Sequence, residues 1–336
     1  MSLIEFIIRR LLAVVPVLFG VTLCVFIISH AIPGDPAAMI AGQRASQETI
    51  DNIRKTYGLD RPLYEQYIRY LDDLAHGDLG VSIRNQRPVT EDLKDFFPAT
   101  LELALAAMLL CLLVGVPLGI LAAVKRNKLA DHLTRVFSVI GVSTPVFWLG
   151  LMLLLLFYRN LDLLPGSGRI GIFFSPPPAV TGLYTIDALL CGDFELFADV
   201  ASHLVLPAFC LSYVYLAIVT RIVRSSMINS LGQDYIVTAR ANGIPEWRVI
   251  GKHALKNSMI PTITIVGLSV GELLGGAILT ETIFSWPGMG KYVVDSVNYL
   301  DFPAIMGFTL VVSLAYVFIN LCVDVFYALA NPQIRY

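Results

Sequence analysis

Charge is scarce in this 336-residue chain. Asp, Glu, Lys and Arg together make 15% of it, against about 25% in an ordinary soluble domain. The formal net charge is -2, so no broad basic field exists for nucleic acid. Cysteine is sparse as well. Cys24, Cys111, Cys191, Cys210 and Cys322 form no CxxC pair, and four of them lie in apolar runs. They read as small core hydrophobes rather than a disulfide framework or thiolate metal site. The five histidines form no HExxH, so no zinc hydrolase signature is present. A phosphate-cradling GxxxxGK[ST] loop is missing too. The fragment GMGK at Gly288 to Lys291 lacks its spacing. The chain is therefore expected to bind no cofactor or metal of its own and to have no catalytic site. Energy for any uphill work must come from a partner or an ion gradient.

Long apolar runs take the place of charge. About 20 apolar helical residues cross a hydrocarbon core of roughly 30 Å. Six runs meet that length, at 11–31, 99–124, 134–158, 204–226, 259–283 and 304–329. The pattern predicts an all-α membrane protein with six transmembrane helices. Arg9 and Arg10 before the first run imitate a signal peptide. However, the run is too long, and Ile32 to Pro36 is a poor cleavage site. In the short loops, where the positive-inside rule has force, 13 Lys and Arg fall on one side and Arg159, Arg169 and Lys291 on the other. Both termini are thus expected in the cytoplasm. No short repeat or low-complexity tail interrupts this plan.

The plan divides the chain into residues 1–32 with the first span, an outer loop 33–97, and a core of five spans at 98–336. Loop 33–97 is too long to be structureless. It contains a Ser-capped helical stretch at 46–57. A second helix follows Pro62, with Leu63, Tyr67, Tyr70 and Leu74 along one face and Gly77 as a stop. Loop 159–203, rich in Gly and Pro, has room for one short helix near 184–190.

The loop 227–258, on the basic side, has the most internal order. Residues 233–242 are helix-permissive, Gly243 stands where a C′ glycine belongs, and Pro245 suits the first turn of a second helix. Trp247, Ile250, Ala254 and Leu255 recur at helical spacing through 246–257, and Pro261 opens the fifth span. The pair reads as a seat for a partner, or more simply as a basic loop that fixes topology. In the spans, Glu272 is the acid near mid-membrane, in VGELLGG. It faces a path, or it makes a structural interhelical hydrogen bond. Asp324, Glu102 and Glu281 lie nearer span ends. Arg221 and Arg224 close the inner end of span four, as headgroup anchors or a gate. An ion-coupled carrier would need more buried ionisable groups than this, and an intramembrane enzyme a nucleophile–base set.

At Asp234 to Pro261, DYIVTARANGIPEWRVIGKHALKNSMIP resembles the cytoplasmic "EAA" loop of ABC importer permeases. Gly243 takes the glycine position and His253 follows nine residues on. Val237 stands where the triplet has Glu, a departure shared with the peptide-importer branch, and it puts an acidic contact there in doubt. ISHAIPGDP (28–36), YGLDRPLYEQY (57–67), HGDLGVSIR (76–84), FPATLEL (97–103), ILTETIFSWPGMG (278–290) and the C-terminal NPQIRY are similar to the same branch. The resemblance, nearly full length, is to B-type permeases of dipeptide and oligopeptide importers. LPGSGRI (164–170) and PPPAVTGLYTIDALL (176–190) are most similar to the D,D-dipeptide permeases. It implies a type I importer permease fold in the cell inner membrane. It also implies a second homologous permease, two ATP-binding subunits that carry the ATP and Mg, and an extracytoplasmic solute-binding protein that delivers peptide. Related permeases handle nickel, glutathione or small saccharides. The resemblance places the ATPase contact at Tyr235, Ala239, Arg240, Gly243, Trp247, His253 and Leu255, and leaves Glu272 for the translocation path.

Overall fold

A computed structural model of the chain describes residues 3–31, 37–38, 45–56 and 58–330. The segment Ile32 to Pro36, Tyr57, Arg335 and NPQIRY lie outside the described residues, as does the side chain of Asp324. Among the described residues the regular elements are helices, and the chain divides into two compact units.

One unit comprises Arg9–Phe97 and Tyr292–Leu314. It holds most of α1 (Leu3–Ala31), and also α2 (Gln47–Thr56) and α3 (Leu63–Ala75). The Ser46 hydroxyl accepts the Thr49 N–H at 3.2 Å, the cap expected for α2. Tyr67 and Tyr70 of α3 pack on Phe26 of α1, with ring centroids 5.2 and 6.1 Å apart. Thr22 and Tyr67 hydroxyls meet at 3.0 Å. The expected apolar face is thus used at its centre. Leu63, in the first turn, stays 58% exposed. Gly77, at φ +79°, follows the end of α3. Beyond it, Ser82 and Arg87 close a small turn (N–H to O, 2.9 Å). Asp301 fixes that turn by accepting the Ser82 hydroxyl at 2.5 Å and the Arg84 N–H at 3.2 Å.

The other unit comprises Met1–Ile8, Pro98–Lys291 and Ala315–Tyr336. Its centre is α8 (Phe194–Leu231), a 38-residue helix. Around α8 lie the main part of α4 (Val89–Val124), the bent pair α5 (Leu129–Ser143) and α6 (Val146–Asn160), and α10 (Leu255–Gly276). The short helix α7 (Tyr184–Leu190) stands where the sequence predicts one, and α9 (Asp234–Ala241) follows α8. The last α-helices are α11 (Ile278–Ile283), α12 (Met289–Asn298) and α13 (Phe302–Ala330). Small residues let α4 and α8 approach closely. A Cβ on Gly119 would stand 2.7 Å from Val223 and 2.8 Å from the Thr220 carbonyl oxygen.

Among the described residues four helices are long and apolar enough to cross a membrane, or five if α5 and α6 make one span. The expected run 134–158 is not straight. It turns by 104° at Thr144–Pro145. A residue before proline is driven out of the helical region, and Thr144 is extended at ψ 122°. The expected run 259–283 is divided as well. The apolar helix covers Pro261–Leu273, and Ala277 separates α10 from α11. Pro261 lies inside α10 rather than at its start.

Candidate functional site

The stretch after α8 folds as helix, reversal, helix. α9 ends in a Schellman motif. The Gly243 N–H reaches the Arg240 carbonyl at 3.0 Å, and the Ile244 N–H reaches the Ala239 carbonyl at 3.2 Å. Gly243 sits at φ +74°, a conformation that disfavours any residue with a Cβ. Pro245 forms the N-cap of the following turn rather than its first residue. The second arm runs through Glu246–Arg248 and a wide i→i+5 turn at Val249–Ala254 into α10 without interruption. Arg240 joins the two arms by a bidentate pair to Glu246, at 2.6 and 3.1 Å. That hydrogen bonding holds the Glu246 carboxyl below its usual range.

Packing fixes this pair on the end of α8. Ile236, Ala239, Val249 and Ala254 are buried with Val219, Val223 and Met227. Full burial of Ile236 alone is worth about 1.5–3 kcal/mol. The outer surface is different. Trp247 is 69% exposed and Val237 61%, with Tyr235 also exposed. The Arg248 guanidinium lies 4.8 Å from the Trp247 ring centroid.

These positions revise the residue-level expectation. Trp247 does not share a buried face with Ala254; Val249 does. The wide turn accounts for this, since one extra residue per turn rotates the following face by about 100°. Ala239 packs inside the chain and so offers no close approach to a partner. Gly243 is required by backbone conformation, because a Cβ there would meet nothing within 4 Å. Tyr235, Arg240 and Trp247 are grouped on the exposed side, whereas His253 is half-buried and Leu255 packs on the inner cluster.

Glu272 is elsewhere, on α10. Seventeen residues separate it from Leu255, about 26 Å at 1.5 Å per residue. Its side chain is exposed on this chain and faces the Tyr215 hydroxyl of α8. Its neighbour Gly271 is covered instead: a Cβ there would stand 2.7 Å from the Tyr316 ring of α13.

Glu102 and Glu281, noted near span ends, each hold structural partners. Glu102 takes Arg169 at 2.5 Å and the Thr185 N–H and hydroxyl at 2.7 and 2.8 Å. The Arg169 guanidinium also covers the Tyr184 ring at 3.6 Å. Glu281 is fully buried. It accepts the Thr100 hydroxyl at 2.7 Å and the Lys291 N–H at 3.0 Å. Asp187, in the Gly/Pro-rich loop, gathers N–H groups of Val180, Thr181 and Gly182. Burial works against its charged form, but those hydrogen bonds win and hold the carboxyl below its ordinary range. Sequence reasoning missed all three roles. Their partners are 5 to 83 residues away for Asp187 and Glu102, and up to 181 for Glu281, so no spacing rule reports them.

Residues 115–336 match the family described as binding-protein-dependent transport system inner membrane component, and residues 3–104 match its N-terminal companion. The probable D,D-dipeptide transport system permease protein DdpB of Escherichia coli strain K12 is 55% identical, with 97% of this chain and 96% of the relative covered. The dipeptide transport system permease protein DppB of the same strain is 44% identical, covering 99% of both. The glutathione transport system permease protein GsiC of Escherichia coli O6:H1 is 39% identical, covering 99% of this chain and all of the relative. The chain thus belongs to the binding-protein-dependent transport system inner membrane components: it is a multi-pass permease subunit of the inner membrane.

Proposed function

We propose that this permease carries dipeptides or short oligopeptides, D,D-dipeptides among them, as one half of a path driven by ATP hydrolysis on partner subunits. The observation that carries this reading is the packed helical pair at Asp234–Ala254, whose outer surface leaves Trp247, Val237 and Tyr235 uncovered. A pair that served topology alone would need neither the Schellman reversal nor an uncovered Trp. In this reading the pair is cytoplasmic and seats in a cleft of an ATP-binding subunit. The full assembly has a second homologous permease, two ATP-binding subunits and an extracytoplasmic solute-binding protein. Six spans, with the bent α5–α6 pair and the α10–α11 pair each counted as one, put both termini in the cytoplasm.

The mechanism is alternating access. ATP closes the partner subunits and pushes the pair. Because the second arm runs unbroken into α10, that push reaches Glu272 along one rigid element. Opening outward receives peptide from the binding protein, and hydrolysis resets the path inward. Glu272 faces the path and pairs with a peptide ammonium group. Glu272→Gln is expected to reduce uptake about tenfold or more, the loss of one charge-assisted hydrogen bond; unchanged uptake would remove it from the path.

ATPase activity of the reconstituted complex, with its binding protein and a dipeptide panel including D-Ala-D-Ala, tests the substrate. Stimulation by dipeptides is expected. Stimulation by glutathione, nickel or a saccharide alone would keep the importer and discard the peptide.

A further inference from the structure

The α5–α8 contact encloses a cleft of about 430 Å³, with Arg135, Arg221, Arg224, Thr220, Val139 and Val142 in its wall. Charge there is unbalanced. Asp131 is fully buried and is taken up by Arg224, at 2.5 and 2.9 Å, and by the Asn127 N–H at 2.9 Å. Arg135 reaches the same carboxylate only at 3.7 Å. Arg221 is exposed and, among the described residues, makes no ion pair. Three guanidinium groups therefore answer to one carboxylate, and two positive charges are in excess. The α5 surface beside the cleft is the opposite in character. Leu133, Val136 and Ile140 are 51–59% exposed.

A cationic recess beside an uncovered apolar strip complements an amphiphile with an anionic head. We propose that this cleft binds an anionic phospholipid, with its phosphate on Arg221 and Arg135 and an acyl chain along the α5 strip. A transported peptide fits less well. Its ammonium group would find no free carboxylate, since Asp131 is already paired. Direction separates the two sites as well. Arg221 follows Tyr215 by six residues, which places it about 120° round α8. The cleft therefore uses a different face of α8 from the one that meets Glu272. Arg224, oriented by Asp131, supplies a fixed third charge.

The test uses the purified transporter complex, given equal phosphatidylglycerol and phosphatidylcholine, with native mass spectrometry of the retained lipid. The wild type is expected to retain phosphatidylglycerol in preference. Arg135→Gln with Arg221→Gln is expected to retain about tenfold less, and Arg135→Lys with Arg221→Lys to recover most of it. Arg221→Gln alone, which breaks no ion pair, serves if the double variant is not recovered. Excess inorganic phosphate or a dipeptide should displace nothing. Equal retention of both lipids, equal retention by wild type and the Gln variants, or displacement by phosphate or dipeptide would overturn the proposal.

Discussion

Arg169→Leu is expected to destabilise the purified subunit more than Arg169→Leu combined with Glu102→Leu. Arg169 and Glu102 are 5% and 3% exposed and meet at 2.5 Å. Each alone would be a charge stranded away from water. Breaking a buried pair from one side costs about 3–5 kcal/mol, because the remaining ion keeps its desolvation penalty. Removing both takes that penalty away. Recovery should be partial, since the Thr185 N–H would still lose its acceptor on Glu102. Arg169 also ties the loop holding α7 to α4, so the single variant should expose 170–190 to protease. Thermal melts of the three proteins in detergent decide it. Equal losses in the single and double variants would mean that the charges are solvated.

Trp247→Ala is expected to separate stability from coupling. The ring is 69% exposed and lies outside the buried cluster of the helical pair, so melting temperature should hold. If the ring fills a pocket on an ATP-binding subunit, truncation should cost about 2 kcal/mol or more of association, roughly a 30-fold weaker assembly. Transport-coupled hydrolysis would fall with it. A melting shift without loss of coupling would instead make Trp247 part of the chain's own packing.

Much of this was legible in the sequence because the signals are local. Length and hydropathy identify the apolar helices. Gly243 and Pro245 mark the reversal, and 184–190 was readable as a helix between loop residues. The failures are equally physical. Helical spacing assumes 3.6 residues per turn, so the wide turn at Val249–Ala254 put Trp247 on the wrong face. A hydropathy window cannot see that Thr144–Pro145 bends a run by 104°. Burial of Ala239 depends on α8 residues 16 and 20 positions earlier, Val223 and Val219. The pairs Asp131–Arg224 and Glu102–Arg169 span 93 and 67 residues, and composition gave only their members.

In the proposed mechanism this permease moves solute on energy delivered through Asp234–Ala254. Dipeptide uptake into proteoliposomes bearing the complete complex, with ATP maintained and a protonophore present, tests it most directly. Uptake is expected to persist under the protonophore and to disappear when the ATP-binding subunits are left out. Uptake that collapses under the protonophore, or continues without those subunits, would contradict it.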